Sequence, residues 1–459
     1  METPSFSPAT KIAALIEQLR PAPKTKLVLA YSGGVDSQVL AAGLAEFAQS
    51  HPELNYLLVH VHHGLSANAA QWAKHCESMA AQYGLPIKVK LVKVDSGPRV
   101  SIEAAARDAR YAALAQELSA GDLLLTAHHQ DDQLETLLLA LKRGLGPKGL
   151  AAMGQVQVFA EHAYLVRPLL DVQRQEIEEY AKLHDIAHIE DESNQDDRFD
   201  RNFLRLNIIP ALKARWPAIA ATASRSAQLC AEQQALIDDE VGARLPGMIV
   251  KIPNLAKPVL DLRLLAQQSE LWRAQLLRGF IDSLGFAMPS SVQLKQLLSQ
   301  LLVAKADAKV EIRLKPMVLR RFRHHLYIDK YQPSPKLMPI EVATSDSVSH
   351  CWVITENNKL ELNRCDEGVR LRLPQANERV SIRFGALGSS RCHPHFRDKG
   401  RELKKLWQEL AVPPWLRDQV PLIYFNDMLV AAVGYWIDKR FLALETDVGL
   451  HFEMVAICE

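Results

Sequence analysis

The sequence lacks the cysteine pairs on which disulfide frameworks, zinc sites and iron–sulfur clusters are built. Its 459 residues contain six cysteines, and no Cys-x-x-Cys pair occurs. The cysteines are widely separated along the chain, at Cys76, Cys230, Cys351, Cys365, Cys392 and Cys458. This spacing predicts isolated, reduced thiols.

The sequence also lacks a long apolar run. No stretch approaches the roughly 18 apolar residues that a membrane helix requires. The first residues do not combine a basic start with an apolar core, which is the pattern of a secretory signal. We therefore expect a cytoplasmic protein without a membrane partner.

The chain has almost no net charge, since its formal charge is +1. The average conceals a local excess, because residues 364–406 contain eleven basic and five acidic side chains, a difference of +6. A basic segment of this kind attracts phosphates.

Up to about residue 216, short apolar runs alternate with helical stretches. The runs typical of strands lie at 26–31, 54–61, 87–94 and 122–126, and the helical stretches lie at 38–48, 67–83, 101–118 and 131–142. Ser101 and Glu103 suit the start of the third of these helices. Alternating strands and helices predict an α/β fold with a doubly wound parallel sheet that is covered on both faces.

A length of 459 residues predicts two or three domains, because domains typically contain about 100–200 residues. Beyond the α/β region, residues 217–301 are mostly helical in pattern, 311–329 are β-rich and basic, and 331–339 contain three prolines. One further helix is predicted at 397–410. We predict a catalytic domain at 1–216, a mainly helical domain at 217–332, a linker at 333–355 and a small, basic, mixed α/β domain at 356–459.

A serine- and glycine-rich loop directly follows the first predicted strand. It consists of Ser32, Gly33, Gly34, Val35, Asp36 and Ser37. Glycines allow a tight turn that exposes N–H groups to an anion, and the next helix points its positive end at the same place. A carboxylate repels phosphate, so Asp36 is best explained by a metal ion that bridges phosphates. A plain turn is the alternative, but a Walker loop is excluded because no Gly-Lys-Ser/Thr ending occurs.

This loop resembles that of the PP-loop enzymes, or N-type ATP pyrophosphatases, which cleave ATP between the α and β phosphates. Further motifs follow in chain order: VHVHHGLS at 59–66, EAAARDARY at 103–111, TAHHQDDQLET at 126–136, KRGLGPKGL at 142–150, RPLL at 167–170, DESNQD at 191–196, RNFLR at 201–205 and VPPWLRDQVP at 412–421. In this order they closely resemble the tRNA(Ile)-lysidine synthetase family over nearly the whole chain. His188 is a departure, since a tryptophan is expected there, and it concerns local packing.

The resemblance implies the reaction and its participants. ATP and Mg²⁺ are the expected cofactors, and free L-lysine and a tRNA(Ile) with the anticodon CAU are the expected partners. Lysine would be ligated to carbon-2 of the wobble cytidine through an adenylated intermediate, which changes the identity of the tRNA from methionine to isoleucine.

Site residues follow from the same motifs. The catalytic candidates are Asp36, Arg107, His129, Asp132 and Glu135. The candidate ATP contacts are the six residues of the loop and His62, and the candidate magnesium ligands are Asp36 and Asp132. Arg110 is interpreted as structural. The candidate RNA contacts are Arg201, Arg205, Arg391, Arg397, Lys404 and Arg417.

Several alternatives stay open at this stage. The acidic residues at 131, 132 and 135 could bind a metal or an ammonium group, or could be the negative charges that helix starts favour. For His62 and His63, a role in the site and a plain strand-end role are equally supported. His129, Asp132 and Glu135 are unranked as the general base, and neither the lysine pocket nor a possible homodimer is decided.

Three other function classes fit part of the sequence. A thiolase that carries a cluster needs paired cysteines, which are absent, whereas a cluster-free thiolase stays possible. A tRNA-binding protein with a dead nucleotide site would be expected to lose Asp36. A small-molecule ligase would leave the basic segment without an explanation.

Overall fold

The computed structural model of the chain describes residues 6–62, 64, 68–93, 102–160, 162–255, 257–303, 310–332, 337–342, 350–355 and 358–457. The helices are α1 (Pro8–Leu19), α2 (Val35–Ser50), α3 (Ala69–Tyr83), α4 (Ile102–Ala115), α5 (Gln130–Lys142), α6 (Pro147–Leu150), α7 (Arg174–Leu183), α8 (Asp200–Phe203), α9 (Ile209–Arg215), α10 (Ile219–Arg244), α11 (Leu262–Ala266), α12 (Glu270–Ser283), α13 (Ser291–Val303), α14 (Leu403–Glu409) and α15 (Pro414–Arg417). Among the described helices, none is long and apolar enough to cross a membrane.

The strands are β1 (Lys26–Ala30), β2 (Asn55–His62), β3 (Ile87–Leu91), β4 (Leu123–Leu125), β5 (Val156–Phe159), β6 (Ala163–Val166), β7 (Ile249–Val250), β8 (Val259–Asp261), β9 (Val310–Leu314), β10 (Met317–Phe322), β11 (His325–Lys330), β12 (Ile340–Val342), β13 (His350–Thr355), β14 (Asn358–Cys365), β15 (Leu371–Arg372), β16 (Val380–Phe384), β17 (Arg391–Cys392), β18 (Arg401–Glu402), β19 (Pro421–Phe425), β20 (Met428–Ala432), β21 (Trp436–Ile437) and β22 (Gly449–Ala456). The chain divides into two compact units, Met1–Ile237 and Asp238–Glu459. The division falls within α10, which lies beyond the predicted boundary at 216.

The first unit is built on a six-stranded sheet in the order β3-β2-β1-β4-β6-β5. Neighbouring strands are parallel except for β5, which runs antiparallel to β6 at the edge. Successive residues of β1 enter different cores: Leu27 and Leu29 pack in the cluster that includes α1, α2 and α7, whereas Val28 packs in the cluster that includes α4. The predicted doubly wound α/β fold is therefore confirmed.

The topology brings two of the predicted motifs to one edge of this sheet. β1 and β4 are adjacent and parallel, with Leu29 opposite Leu125. Their carboxyl ends therefore lie side by side, and this is the edge at which open α/β sheets bind ligands. The loop at 32–37 follows β1, and the histidines at 128 and 129 follow β4.

A helical segment after the sheet lies along α5. It comprises α8, a π-helical turn at Leu204–Ile208, and α9. Lys142 of α5 binds Asp200 at 2.7 Å, and Lys213 binds Asp131 at 2.5 Å, at the other end of α5. Buried apolar residues, Leu134 and Ile209 among them, fill the space between the helices. This antiparallel arrangement turns residues from about 200 onwards towards the sheet edge.

In the residues that the structure describes, the second unit combines helices with three larger sheets and a two-stranded one. The region predicted as mainly helical does contain α10 to α13, but β7 to β11 add a five-stranded antiparallel sheet. Residues 340–342 and 350–355, which the proline-rich composition assigned to a linker, form β12 and β13, and these pair with β16 and β14. The C-terminal region is rich in sheet, and its predicted helix at 397–410 begins later, at Leu403.

Asp438 illustrates how the second unit is held together. Its side chain is fully buried at 0% exposure and begins a short 3₁₀ turn. It accepts hydrogen bonds from the backbone N–H, Nε and Nη2 of Arg440, each at 3.0 Å. Burial alone would raise the pKa of Asp438, but these hydrogen bonds lower it below the ordinary value. The carboxylate is therefore a stabilising group only when ionised.

Asp438→Asn is expected to reduce the free energy of unfolding at pH 7 by about 2–4 kcal/mol, because an amide cannot replace a buried, charge-paired acceptor. A lowered folded-state pKa gives stability above the unfolded-state value of about 3.9, and that stability is lost as the pH falls through the folded-state value. The difference in unfolding free energy between wild type and variant, measured by urea denaturation, should therefore become smaller from pH 7 to pH 3. Asp427→Asn, at an exposed ion pair with Arg383, serves as the control, and an equal loss there would contradict this account.

Candidate active site

The loop at 32–37 is held by its own hydroxyl groups. The Ser37 Oγ accepts from the Gly33 N–H at 3.0 Å and donates to the Gly34 carbonyl at 3.0 Å. The Ser32 and Ser37 hydroxyls are 3.1 Å apart. Gly34 is the N-cap of α2 and brings no side chain to it. The first N–H groups of α2 therefore point outwards from a braced turn, as an anion site requires.

Gly33 is fixed as glycine by both its backbone and its surroundings. Its φ is +88°, and a Cβ there would lie 2.5 Å from Ile189 Cδ1 and 2.8 Å from Cys76 Sγ. The Ile189 N–H also donates to the Gly33 carbonyl at 2.9 Å. A neighbouring segment thus closes over the back of the turn.

Gly33→Ala is expected to lower the free energy of unfolding by about 2–4 kcal/mol, because a left-handed conformation costs an L-residue about 1–2 kcal/mol and the clash adds to it. ATP affinity should fall as well, since the turn must open. Thermal unfolding and equilibrium binding of ATP would measure both effects.

Gly84→Ala is the matched control, since Gly84 has a φ of +66° but open space around its hydrogen. It should lose about 1 kcal/mol through backbone conformation alone. Equal losses of unfolding free energy in Gly33→Ala and Gly84→Ala would mean that the clash of the added methyl group with Ile189 and Cys76 does not contribute.

Asp36 lies in the first turn of α2 and faces the carboxyl edge of the sheet. Its Oδ2 accepts from Arg174 Nη1 at 3.0 Å. Its Oδ1 is buried without a hydrogen-bond partner among the described residues, and His129 Nε2 lies 3.8 Å from it. Burial raises the pKa of Asp36, and His129 and Arg174 act in the opposite direction. One carboxylate oxygen is therefore left to a ligand.

His129 connects Asp36 with the acidic helix start. Its side chain is 1% exposed, and its Nδ1 accepts from the Asp131 N–H at 3.2 Å. That contact assigns the ring proton to Nε2, which lies 3.3 Å from Asp132 Oδ2. Asp132 in turn accepts the His129 backbone N–H at 3.0 Å. Burial would raise the pKa of Asp132, but His129 and His128 lower it below the ordinary value.

Glu135 and Arg205 form a buried ion pair beside this group. Glu135 is 1% exposed. Arg205 Nε lies 2.8 Å from Glu135 Oε1, and Nη2 lies 3.2 Å from both Glu135 Oε2 and Asp132 Oδ1. Burial raises the pKa of Glu135, and Arg205 acts against that shift. Arg205 stands on the π-helical turn, a geometry that is frequent at functional sites.

The structure thus brings together Asp36, His129, Asp132 and Glu135 of the predicted catalytic set. Arg107 and His62 make no hydrogen bond or ion pair with this group within the described part of the chain. Arg107 lies over the Tyr111 ring at 5.0 Å, and His62 Nδ1 accepts from the Gly64 N–H at 3.1 Å. His63, Ser101 and the side chain of Glu103 lie outside the described residues.

The predicted RNA contacts differ in their surroundings. Arg391 and Lys404 are exposed, and no described carboxylate lies within ion-pairing distance of either. Arg397 is paired with Glu409 at 2.5 Å, and Arg417 donates to the Val412 carbonyl at 3.1 Å. Arg201 donates to Thr136 Oγ1 at 3.4 Å. Arg391 and Lys404 are therefore the most available of the six for phosphate, whereas Arg205 is held by two carboxylates.

Arg174 is a site residue that the sequence did not indicate. It binds Asp36 from the first residue of α7, and it also binds Glu178 at 2.8 Å. An arginine four residues before a glutamate is the usual pattern of a solvated helix surface. The sequence therefore carried no signal that would have separated Arg174 from a surface residue.

No group of three or more His, Cys, Asp or Glu side chains in the described chain is arranged to hold a metal ion by itself. Asp36 Oδ1 and Asp132 Oδ2 nevertheless lie near the same atom, His129 Nε2, at 3.8 and 3.3 Å. A pair of carboxylates suits Mg²⁺, which usually takes one or two from the protein and the remainder from phosphates and water.

Comparison with known proteins identifies the family of the chain. Residues 7–212 match the model of the PP-loop domain, 260–327 that of the TilS substrate binding domain, and 380–454 that of the TilS substrate C-terminal domain. The chain is 56% identical to a tRNA(Ile)-lysidine synthase of Shewanella woodyi, over 100% of this chain and 98% of that protein. It is 54% identical to that of Shewanella oneidensis over 96% and 97%, and 42% identical to that of Vibrio vulnificus over 95% and 97%. The chain therefore belongs to the tRNA(Ile)-lysidine synthase family.

Proposed function

We propose that the chain ligates lysine to carbon-2 of the wobble cytidine in the CAU anticodon of tRNA(Ile), at the expense of ATP. The observation that carries this proposal is the meeting of the loop at 32–37, which contributes Asp36, with the buried carboxylates of Asp132 and Glu135 at one sheet edge. Identity of 56% to a tRNA(Ile)-lysidine synthase over the whole chain supports the choice of substrate.

The reaction has two steps. The loop and the start of α2 hold the phosphates of ATP while the carbon-2 carbonyl oxygen of the cytidine attacks the α-phosphate and pyrophosphate leaves. The neutral ε-amine of free lysine then attacks the activated carbon and AMP departs. The target base must be splayed out of its loop, which single-stranded RNA allows at low cost.

We assign a magnesium ion to Asp36 and Asp132. The buried Asp36 Oδ1 without a partner and the nearby Asp132 carboxylate supply the kind of oxygen ligand that this ion prefers. When bound, the ion would offset negative charge on the phosphates. Arg174 keeps the Asp36 carboxylate oriented through its hydrogen bond to Oδ2.

Glu135 is our choice for the general base that takes the proton of the lysine amine. The pKa of Glu135 is raised by burial, whereas that of Asp132 is lowered, and a base with the higher pKa accepts a proton more readily. His129 has its proton on Nε2 and so acts as a donor. Base action requires Arg205 to release one Glu135 oxygen, since it engages both.

We further propose that Arg391 and Lys404 contact tRNA phosphates and that the enzyme is cytoplasmic. Their exposure without a direct ion pair among the described residues, in a basic segment, supports the first proposal. Parallel losses of tRNA affinity in Arg391→Gln and Lys404→Gln would support these RNA contacts.

A homodimer is the alternative to a monomer, and light scattering of the purified protein distinguishes the two.

The decisive experiment uses purified protein, magnesium-ATP, radiolabelled lysine and a tRNA(Ile) transcript with the CAU anticodon. Initiator and elongator methionine tRNAs, which share this anticodon, are the controls. Label that stays in tRNA(Ile) through alkaline treatment, which removes aminoacyl esters, supports the proposal. Absence of label, together with pyrophosphate release on another substrate, would point instead to a cluster-free thiolase or a small-molecule ligase.

A further inference from the structure

Four arginines gather beside the site on the side of the sheet covered by α4. The guanidinium carbons of Arg107 and Arg110 lie 5.0 and 5.8 Å from the centroid of the Tyr111 ring. Arg167 directly follows β6, is 4% exposed, and donates from Nη1 to the Gly154 carbonyl at 2.6 Å and to Gln157 Oε1 at 2.9 Å. Arg201 reaches the same region from α8.

These arginines act on one another and on His128. Burial, together with Arg107 and Arg201, lowers the pKa of Arg110, and burial together with Arg107 lowers that of Arg167. Burial lowers the pKa of His128 to about 3; Asp132 acts against that shift, and Arg167, Arg107 and Arg201 act with it.

No direct ion pair neutralises the four arginines in the described part of the chain, and the nearest acidic influence on them is that of Glu135 on Arg201. Among the described residues, no carboxylate lies within ion-pairing distance of any of the four, whereas Arg174 and Arg205 in the same unit are paired. The Nε of Arg167 is buried and has no acceptor. Like charges that are partly desolvated and left unpaired are costly, so this arrangement requires an anion to offset them.

The position of the cluster indicates which anion would fit. β4 and β6 are parallel neighbours, with Leu125 opposite Val166. His128 and Arg167 follow the carboxyl ends of β4 and β6, so the cluster lies at the same edge of the sheet as the loop at 32–37. Because β4 stands between β1 and β6, the cluster lies further along that edge than the loop. Several planar guanidinium groups that converge from different elements suit the tetrahedral oxygens of a phosphate group.

We propose that Arg107, Arg110, Arg167 and Arg201 form a second phosphate-binding site, distinct from the loop at 32–37. Arg110, interpreted as structural from the sequence, becomes a ligand-binding residue. The phosphate comes either from the nucleotide or from the RNA backbone beside the target cytidine, and the choice of these two sources rests on the proposed function. Binding of the anion offsets the repulsion among the four guanidinium groups.

The test is Arg110→Gln, with Arg225→Gln as the matched control, because Arg225 is an exposed arginine of α10 without an ion pair among the described residues. The affinities for magnesium-ATP and for a tRNA(Ile) transcript are measured separately, the latter at several salt concentrations. The loss of one charge-assisted contact is expected to weaken one of the two affinities about tenfold. If tRNA is the ligand, the slope of log K against log salt should also decrease by about one.

The Tm of the ligand-free variant separates anion binding from a structural role. If the four arginines bind an anion, Arg110→Gln without ligand should have a Tm equal to or above that of the wild type, because one repelling charge is removed. If Arg110 has a structural role, the Tm of the variant should fall. Unchanged affinity for both ligands overturns the proposal whatever the Tm, and so does an equal loss in Arg225→Gln. Should Arg110→Gln fail to fold, Arg201→Gln gives the same comparison from another element. Because binding is measured without lysine, absence of lysidine formation would overturn the proposed function and leave this test intact.

Discussion

Asp36→Asn is expected to reduce kcat/KM for lysine incorporation into tRNA(Ile) by about a thousandfold, in the range seen when a charge-stabilising group is removed from an active site. The substitution keeps the shape of the side chain and its contact with Arg174. It removes the negative charge whose Oδ1 is buried without a hydrogen-bond partner among the described residues. Steady-state incorporation of radiolabelled lysine at saturating magnesium-ATP measures the effect.

The control is Glu178→Gln, because Glu178 is the other carboxylate on Arg174. Glu178 is exposed and lies on the next turn of α7, so its loss should leave the rate within about threefold of wild type. Less than a tenfold loss in Asp36→Asn would contradict the assignment of Asp36 to the metal. Similar losses in both variants would show that the position of Arg174 matters, rather than the charge of Asp36.

The sheet of the first unit was predictable because parallel strands buried on both faces are nearly continuous apolar runs. β1, β2 and β4 lie where such runs occur, and the motifs that follow β1 and β4 meet because the strands are parallel neighbours. The loop at 32–37 could be placed for the same reason. The edge pair β5 and β6 was not predicted, since Val156–Phe159 is short and has no strong periodicity.

The partners of the carboxylates could not be predicted. Arg205 is 70 positions from Glu135, and its pairing depends on α8 and the π-helical turn lying antiparallel to α5. An arginine in a polar stretch is usually a solvated residue, so the motif at 201–205 suggested RNA contacts. In the structure Arg205 pairs with two acids, and a phosphate-contact role stays a prediction for Arg201 and Arg205.

Composition indicated only part of the second unit. Residues 331–339 contain three prolines, which favours an extended connection, but composition gave no sign that Ile340–Val342, directly after them, pairs with β16. The excess of basic residues at 364–406 is partly consumed by ion pairs, as for Arg397 with Glu409. Net charge along a sequence therefore overestimates the cations that are free for RNA.

Arg205→Met is expected to lower the free energy of unfolding by about 3 kcal/mol, because it removes the cation that directly contacts the buried carboxylates of Glu135 and Asp132. The estimate lies at the low end for buried pairs, since Arg205 itself is 36% exposed. Urea denaturation followed by circular dichroism gives the value. Lys213→Met removes the cation from Asp131, which also lies on α5. It should lose less, about 1–2 kcal/mol, because one carboxylate rather than two loses its cation and Asp131 is more exposed than Glu135.

The double variant Arg205→Met/Glu135→Leu separates stability from catalysis. Replacing both partners of a buried pair with apolar groups is often close to neutral, so most of the lost stability should return. Lysine incorporation should not return, because the proposed base is absent. A double variant that regains both stability and activity would show that Glu135 serves only to hold Arg205. One that regains neither would mean that Arg205 stabilises the unit chiefly through Asp132, which would make Asp132 and Arg205 the pair on which the helix start depends.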